Sequence, residues 1–142
     1  MLYPSKAAAQ SALGREWRWP HFSVAELACR CRGKFCGGAY WHDPEFLHAL
    51  ESLRTRAGRP LVINSGHRCA QWNAAVGGAL RSMHKSLAVD ISLKGHDRNS
   101  LLTHAEALGF TGTGLAKTFI HLDRRKVPAR WYYKGSYALW QT

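Results

Sequence analysis

A chain of 142 residues, 46% of them hydrophobic, can bury one real core but not two, which limits the search to a single domain with one principal site. Twenty Lys and Arg against nine Asp and Glu leave a formal charge of +11. That balance draws a protein toward polyanions such as nucleic acid, anionic membrane surfaces or bacterial cell-wall polymers, without choosing among them.

The opening MLYPSKAAAQSALGREWRWP lacks the apolar stretch of about 7–15 residues that marks a secretory signal. No segment approaches the roughly 20 apolar residues that span a bilayer, so membrane insertion is not expected. The basic residues are scattered apart from Arg124, Arg125 and Lys126, a distribution that suits a solvated surface as well as a polyanion-facing patch.

In chain order, residues 5–13 read as a short Ala-rich helix, followed by a Trp-rich connection to Pro20; residues 1–21 are expected to form an arm packed on a single domain of residues 22–142. Ser23-Val24-Ala25-Glu26 has the form of a capping box and predicts a helix start. The helix should stop at the glycine- and cysteine-rich loop from 31 to 38. Its cysteines, Cys29, Cys31 and Cys36, together with Cys69 could pair as two disulfides or bind a structural zinc. The absence of CxxC pairs and of a secretory signal favours free thiols, or disulfides formed after release, over a thiolate zinc site.

Asp43-Pro44 sets an N-cap acceptor before proline at the first helical position, and Phe46, Leu47, Leu50 and Leu53 recur at helical spacing up to Gly58. Residues 61–65 read as a buried β-branched strand that delivers Ser65, Gly66, His67 and Arg68 at its end. A short helix near 71–75 and a Gly77-Gly78 turn precede Ser82-Met83-His84 and a strand over 87–93. Residues 97–108 form an amphipathic helix closed by Gly109. The last strand is residues 119–123, and the tail is basic and aromatic. The elements are mixed without regular βαβ alternation, which predicts an α+β domain with a small, largely antiparallel sheet and helices packed on one side.

Alternation along a strand puts His121 and Asp123 on one face and Ile120 and Leu122 on the other, and likewise separates Asp90 and Ser92 from Val89 and Ile91. With His84 just before one strand, two imidazoles and a carboxylate are available. This donor set suits Zn²⁺, and a fourth position left open marks a catalytic rather than a structural metal. On spacing alone, the same three residues also read as ordinary polar positions. His21, His42 and His104 lack a partner pattern, and the six tryptophans read as core or rim packing, with 131–133 a candidate cleft wall.

The stretch SGHRCAQWNAAVGGALRSMHKSLAVDI, followed by FIHLD, resembles the M15 family of D-Ala-D-Ala carboxypeptidases and related peptidoglycan endopeptidases, over roughly residues 22–134. Ser82, His84, Ala88 and Asp90 match that family's SxHxxGxAxD motif, and His121 with Asp123 matches its later HxD segment. The resemblance implies a hedgehog-type peptidase fold and one catalytic zinc held by His84, Asp90 and His121. Arg68 corresponds to the arginine that binds a substrate carboxylate, a task a guanidinium fork suits. His67 stands where the family has tyrosine, either as a donor to the tetrahedral intermediate or facing solvent, and Ser82 joins the substrate-binding set.

Two departures stand out. HKSLAVD is one residue shorter than the family motif and has no glycine, so His84 reaches the metal only if the turn tightens. The acidic residue that many members carry three positions before the last His is Thr118 here. Asp123 is the nearest acidic candidate and is read as the catalytic base that takes a proton from water, with orientation of His121 as the alternative.

The expected function is zinc-dependent hydrolysis of peptide bonds in peptidoglycan stem peptides or cross-links, by a monomer that reaches the wall after release or inside a phage-like particle. Two rivals are a zinc-containing, non-catalytic cell-wall-binding module and a basic nucleic-acid-binding protein with a cysteine knuckle. No specific nucleic-acid partner is expected, because that last reading leaves the His and Asp pattern unexplained.

Overall fold

The computed structural model describes residues 1–142. The chain starts with strand β1 (Leu2–Tyr3) and helix α1 (Lys6–Leu13), whose first turn is capped by the Ser5 hydroxyl accepting the Ala8 N–H. Helix α2 (Val24–Leu27) starts where the capping signal stands. The Ser23 hydroxyl accepts the Glu26 N–H and meets the Glu26 carboxylate, rather than that carboxylate reaching back to the Ser23 backbone. Strand β2 (Tyr40–Trp41) pairs antiparallel with β1, forming a small sheet that the sequence did not announce.

Helix α3 (Pro44–Ala57) has the expected Asp43 cap and ends at Gly58, whose φ of 70° is a left-handed conformation that glycine adopts without strain. Strand β3 (Ile63–Ser65) begins later than expected, with Val62 exposed before it. Helix α4 (Ala70–Ala75), strand β4 (Val89–Ser92), helix α5 (Arg98–Ala107) and strand β6 (Phe119–Asp123) fall at the predicted places. Two strands were missed: β5 (Gly112–Leu115) and β7 (Ala129–Tyr132). Both have physical reasons. Gly-Thr-Gly carries little strand propensity, and the β7 segment was read only as a basic aromatic tail.

Strands β3, β4, β6, β5 and β7 make one sheet in that order, antiparallel throughout except for the parallel β5–β7 pair at one edge. The α+β expectation is met. One face of the central strands, Val89, Ile91, Ile120 and Leu122, is fully buried in a core shared with Phe46, Leu47, Leu50 and Leu53 of α3 and Leu101, Leu102 and Ala105 of α5. No helix is long and apolar enough to cross a membrane.

The opposite face is organised by register. Ser65 pairs with Asp90, Asp90 with His121, His121 with Gly114, and Gly114 with Trp131, so one row crosses all five strands. Cross-strand partners in such a row have Cβ atoms about 4.5–5.5 Å apart, close enough for their side chains to meet. The glycines of β5 make this row possible. A Cβ at Gly114 would lie 2.7 Å from the Trp131 indole, and one at Gly112 would overlap the Asp123 carboxylate. Gly112→Ala is therefore expected to lower stability by about 1–3 kcal/mol, the range for overpacking a filled interior, and to show it as a lower thermal midpoint. An unchanged midpoint would mean that Asp123 can move aside.

Candidate metal centre

Three donor atoms converge on the polar face of the sheet. His84 Nε2 lies 3.1 Å from Asp90 Oδ1, His121 Nδ1 lies 3.1 Å from His84 Nε2, and His121 Nδ1 lies 3.2 Å from Asp90 Oδ1. All three residues are buried. Sheet register sets two of them, because Asp90 and His121 are directly paired on β4 and β6. The third sits on a one-turn 3-10 helix, Met83–Lys85, whose first turn is held by the Ser82 hydroxyl accepting the His84 N–H at 3.1 Å. This turn is the tightening that the shortened HKSLAVD segment requires. The Ser86 hydroxyl donates back to the Met83 carbonyl, which closes it.

The outer nitrogens decide which ring atoms face inward. His84 Nδ1 is 2.6 Å from the Gly66 carbonyl, and His121 Nε2 is 2.7 Å from Asp123 Oδ2. Each outer partner only accepts, so each outer nitrogen carries the proton. Two imidazole lone pairs and one carboxylate oxygen are thus aimed at a common point. Three such acceptors repel one another unless a cation lies among them, and the group can hold a metal ion. Zinc bonded to N and O donors at 2.0–2.1 Å would place neighbouring ligands about 3.3 Å apart, so the observed triangle fits zinc.

Without a metal, a proton answers the same repulsion. Burial alone would lower His121, but its bonds to Asp123 and Asp90 outweigh burial and raise it above the ordinary 6.5. Burial would raise Asp90, yet hydrogen bonds from His121 and His84 hold it well below the usual carboxylate range. The sign for metal uptake follows. A proton on His121 competes with the ion, and because its affinity for that proton is raised, competition sets in above pH 6.5. Zinc affinity, followed by competition with a chromophoric chelator, is expected to fall on acidification from above pH 6.5. An affinity flat down to pH 5.5 would contradict the assignment of His121.

Arg68 stands beside the triangle. Its Nη2 is 3.3 Å from Asp90 Oδ2, its Nε donates to Ser65 Oγ at 3.1 Å, and its Nη1 donates to Asn73 Oδ1 at 3.3 Å. Three of the five guanidinium N–H groups are engaged, which leaves two for a ligand. A cavity of about 490 Å³ opens here, lined by the three donors together with Arg68, Ser82, Arg125, Trp131 and Tyr133. Trp131 and Tyr133 therefore form the cleft wall expected of that segment, with the Trp131 ring 5.1 Å from His121.

His67 does not face solvent. It is buried, 4% exposed, does not line this cavity, and its Nδ1 lies 2.7 Å from the Ser86 carbonyl, pinning the short loop between His84 and Asp90. Asp123 lies across the His121 ring from the triangle and is fully buried. Its oxygens are further occupied by Arg125, through Nε to Oδ1 at 2.9 Å and Nη2 to Oδ2 at 2.6 Å. Burial would raise its pKa, but Arg125 and His121 hold it below the ordinary carboxylate range. Of the two expected roles, this geometry suits the orienting one.

Sequence reasoning missed Arg125, Asn73 and the glycines of β5. Arg125 was hidden inside a basic run that read as a solvated surface or a polyanion-facing patch. The alternation Gly112-x-Gly114 opposite His121-x-Asp123 was the available signal for β5.

Residues 20–123 match the family model described as Peptidase M15. The chain belongs to the peptidase M15 family. The match covers the capping box of α2, the Arg68 segment and all three donors of the triangle, and it ends at Asp123. A search of curated proteins returned no match. M15 peptidases are generally zinc-dependent, and peptides are the substrates the family implies.

Proposed function

We propose that this M15 chain is a zinc-dependent peptidase that cleaves peptide bonds in peptidoglycan stem peptides or cross-links, with His84, Asp90 and His121 holding the metal. The observation that carries the reading is the convergence of two oriented imidazole lone pairs and one carboxylate oxygen beneath an open cavity. When bound, zinc supplies Lewis-acid polarisation of a peptide carbonyl and acidification of water. Arg68 offers its two remaining N–H groups to a substrate carboxylate, such as the terminus or side-chain carboxylate of a stem peptide. Asp123 fixes the ring of His121, and Arg125 fixes Asp123. Ser82, whose hydroxyl oxygen is committed to the His84 turn, still has its own proton to donate toward the cavity. The net charge of +11 suits an anionic wall, reached after release or as part of a phage-like particle.

The test is digestion of purified peptidoglycan with the zinc-loaded protein, followed by assay of new amino groups and separation of muropeptides. New amino groups that vanish with Asp90→Ala are the expected result. Their complete absence with zinc bound would sink the hydrolytic reading. One observation favours a second reading: no carboxylate other than Asp90 lines the cavity, and Thr118 occupies the position where many family members carry an acid. A zinc-containing, non-catalytic wall-binding module would retain zinc and pellet with peptidoglycan, yet release nothing.

A further inference from the structure

We propose that Cys29, Cys31, Cys36 and Cys69 form a second, structural zinc site, separate from the metal centre on the sheet and independent of the hydrolytic reading. The spacing Cys-x-Cys-x4-Cys with a distant fourth cysteine looked unpromising in sequence, yet the fold brings all four sulfurs within 4.8 Å of one another. Cys31 and Cys36 are the tightest described pair, at 3.5 Å. Four thiolates around zinc at Zn–S distances near 2.3 Å would be about 3.8 Å apart, so Cys31 and Cys36 would open slightly and the wider pairs would close by no more than about 1 Å.

The hydrogen bonding suits thiolates once a metal is bound. Each sulfur accepts one backbone N–H at 3.4 Å: Cys29 from Cys69, Cys31 from Cys36, Cys36 from Ala39, and Cys69 from Trp72. One main-chain donor per sulfur suits thiolate ligands, and the Cys31 thiol proton, directed at the Cys36 carbonyl at 3.4 Å, is one that metal binding would displace. Four thiolates with one Zn²⁺ carry a net charge of −2, and the segment that bears three of the ligands is itself basic, with Arg30, Arg32 and Lys34 lying between them in sequence. The ends of the loop are tied by main-chain bonds from Cys29 to Ala39 and from Lys6 to Gly37, but its tip is not packed. Arg32, Gly33 and Lys34 are exposed, and Arg32, at φ 57°, is the chain's one non-glycine residue in the left-handed region. Zinc uptake would release the thiol protons and give this loop the anchor that apolar burial does not.

The site would also serve the cleft. Cys69 directly follows Arg68 and caps α4, so a metal that fixes Cys69 fixes the backbone that presents Arg68. Cys29 and Cys31 wall a second cleft of about 1140 Å³ that Arg68, Asp90 and Phe119 share with the cavity over the sheet.

Because a cysteine variant risks unfolding, the decisive measurements keep all four cysteines. The Asp90→Ala chain, purified in reducing buffer, is expected to retain one zinc by elemental analysis, and a thiol-specific mercurial should release that zinc as four thiols react. Cobalt in its place should give a thiolate-to-cobalt charge-transfer band, which a His/Asp site lacks. A metal-free Asp90→Ala protein would overturn the proposal. So would retained metal without the charge-transfer band, or an unreduced, denatured mass showing the four cysteines oxidised in pairs. Loss of peptidoglycan cleavage alone would touch only the function proposed above.

Discussion

Asp90→Ala is expected to abolish zinc binding at the sheet and peptide-bond cleavage together, while the fold survives. Asp90 is the hub of the site. Its Oδ1 lies 3.1 and 3.2 Å from the two histidine nitrogens, and its Oδ2 meets Arg68 at 3.3 Å. Removing it deletes the only anionic donor and leaves two imidazoles, whose attraction for a dication falls without a compensating charge. Losing a mere hydrogen-bond partner of a metal ligand typically costs 10–100-fold in affinity, and loss of a charged ligand should exceed roughly 100-fold. Arg68 also loses its carboxylate partner, so substrate binding should weaken as well.

The fold has less to lose. Asp90 sits on the polar face of β4, while Val89 and Ile91 on the other face keep the core. Stability should even become less sensitive to acid. A carboxylate whose folded pKa is depressed contributes stability that is fully present above its ordinary 3.8 and is lost as pH falls through the folded value, so its removal takes that part of the acid transition away. Circular dichroism melts across pH, with zinc content measured on the same samples, separate the two effects. A variant that keeps full zinc occupancy at the sheet would remove Asp90 from the ligand set.

Much of this site was legible before the fold, because period-2 alternation makes a strand's chemistry readable. The segment from Phe119 to Asp123 could be assigned as a strand with His121 and Asp123 on one face, and its apolar partners are indeed buried on the other. The helices were readable from their caps, Ser23, Asp43 and Gly58, whose hydrogen bonds are local. What was not legible is non-local. Strand β5 is two glycines in four residues, and its reason for existing is the room it leaves for Asp123 and Trp131. His67 looked free to face a substrate or solvent, and only the return of the chain at Ser86 turns it into a buried tie. The clustering of the four cysteines was hidden for the same reason. Their sequence spacing is poor, and the approach of Cys69 across 40 residues to Cys29 is a property of the folded chain.

Asp123→Asn is the substitution that decides how Asp123 acts. A general base needs a pKa near the working pH, and Asp123 is held well below it by Arg125 and His121, with both oxygens occupied and no exposure. An orienting carboxylate acts otherwise. It keeps the proton of His121 on Nε2 and the lone pair of Nδ1 aimed at the metal, and it makes that lone pair more basic. Asparagine can still accept from Nε2 through its carbonyl oxygen, but without the charge. Zinc affinity is therefore expected to fall by about 10–100-fold, with much of the activity recovered at saturating zinc. The pH at which zinc is released should move down, because His121 loses one of the two carboxylates that raise its pKa. The base role makes the opposite forecast: zinc affinity and its pH profile unchanged, and kcat collapsed at every zinc concentration. Measuring zinc affinity and kcat on one preparation separates a positioning residue from a proton acceptor, and an unaltered affinity with a lost kcat would return Asp123 to the chemistry itself.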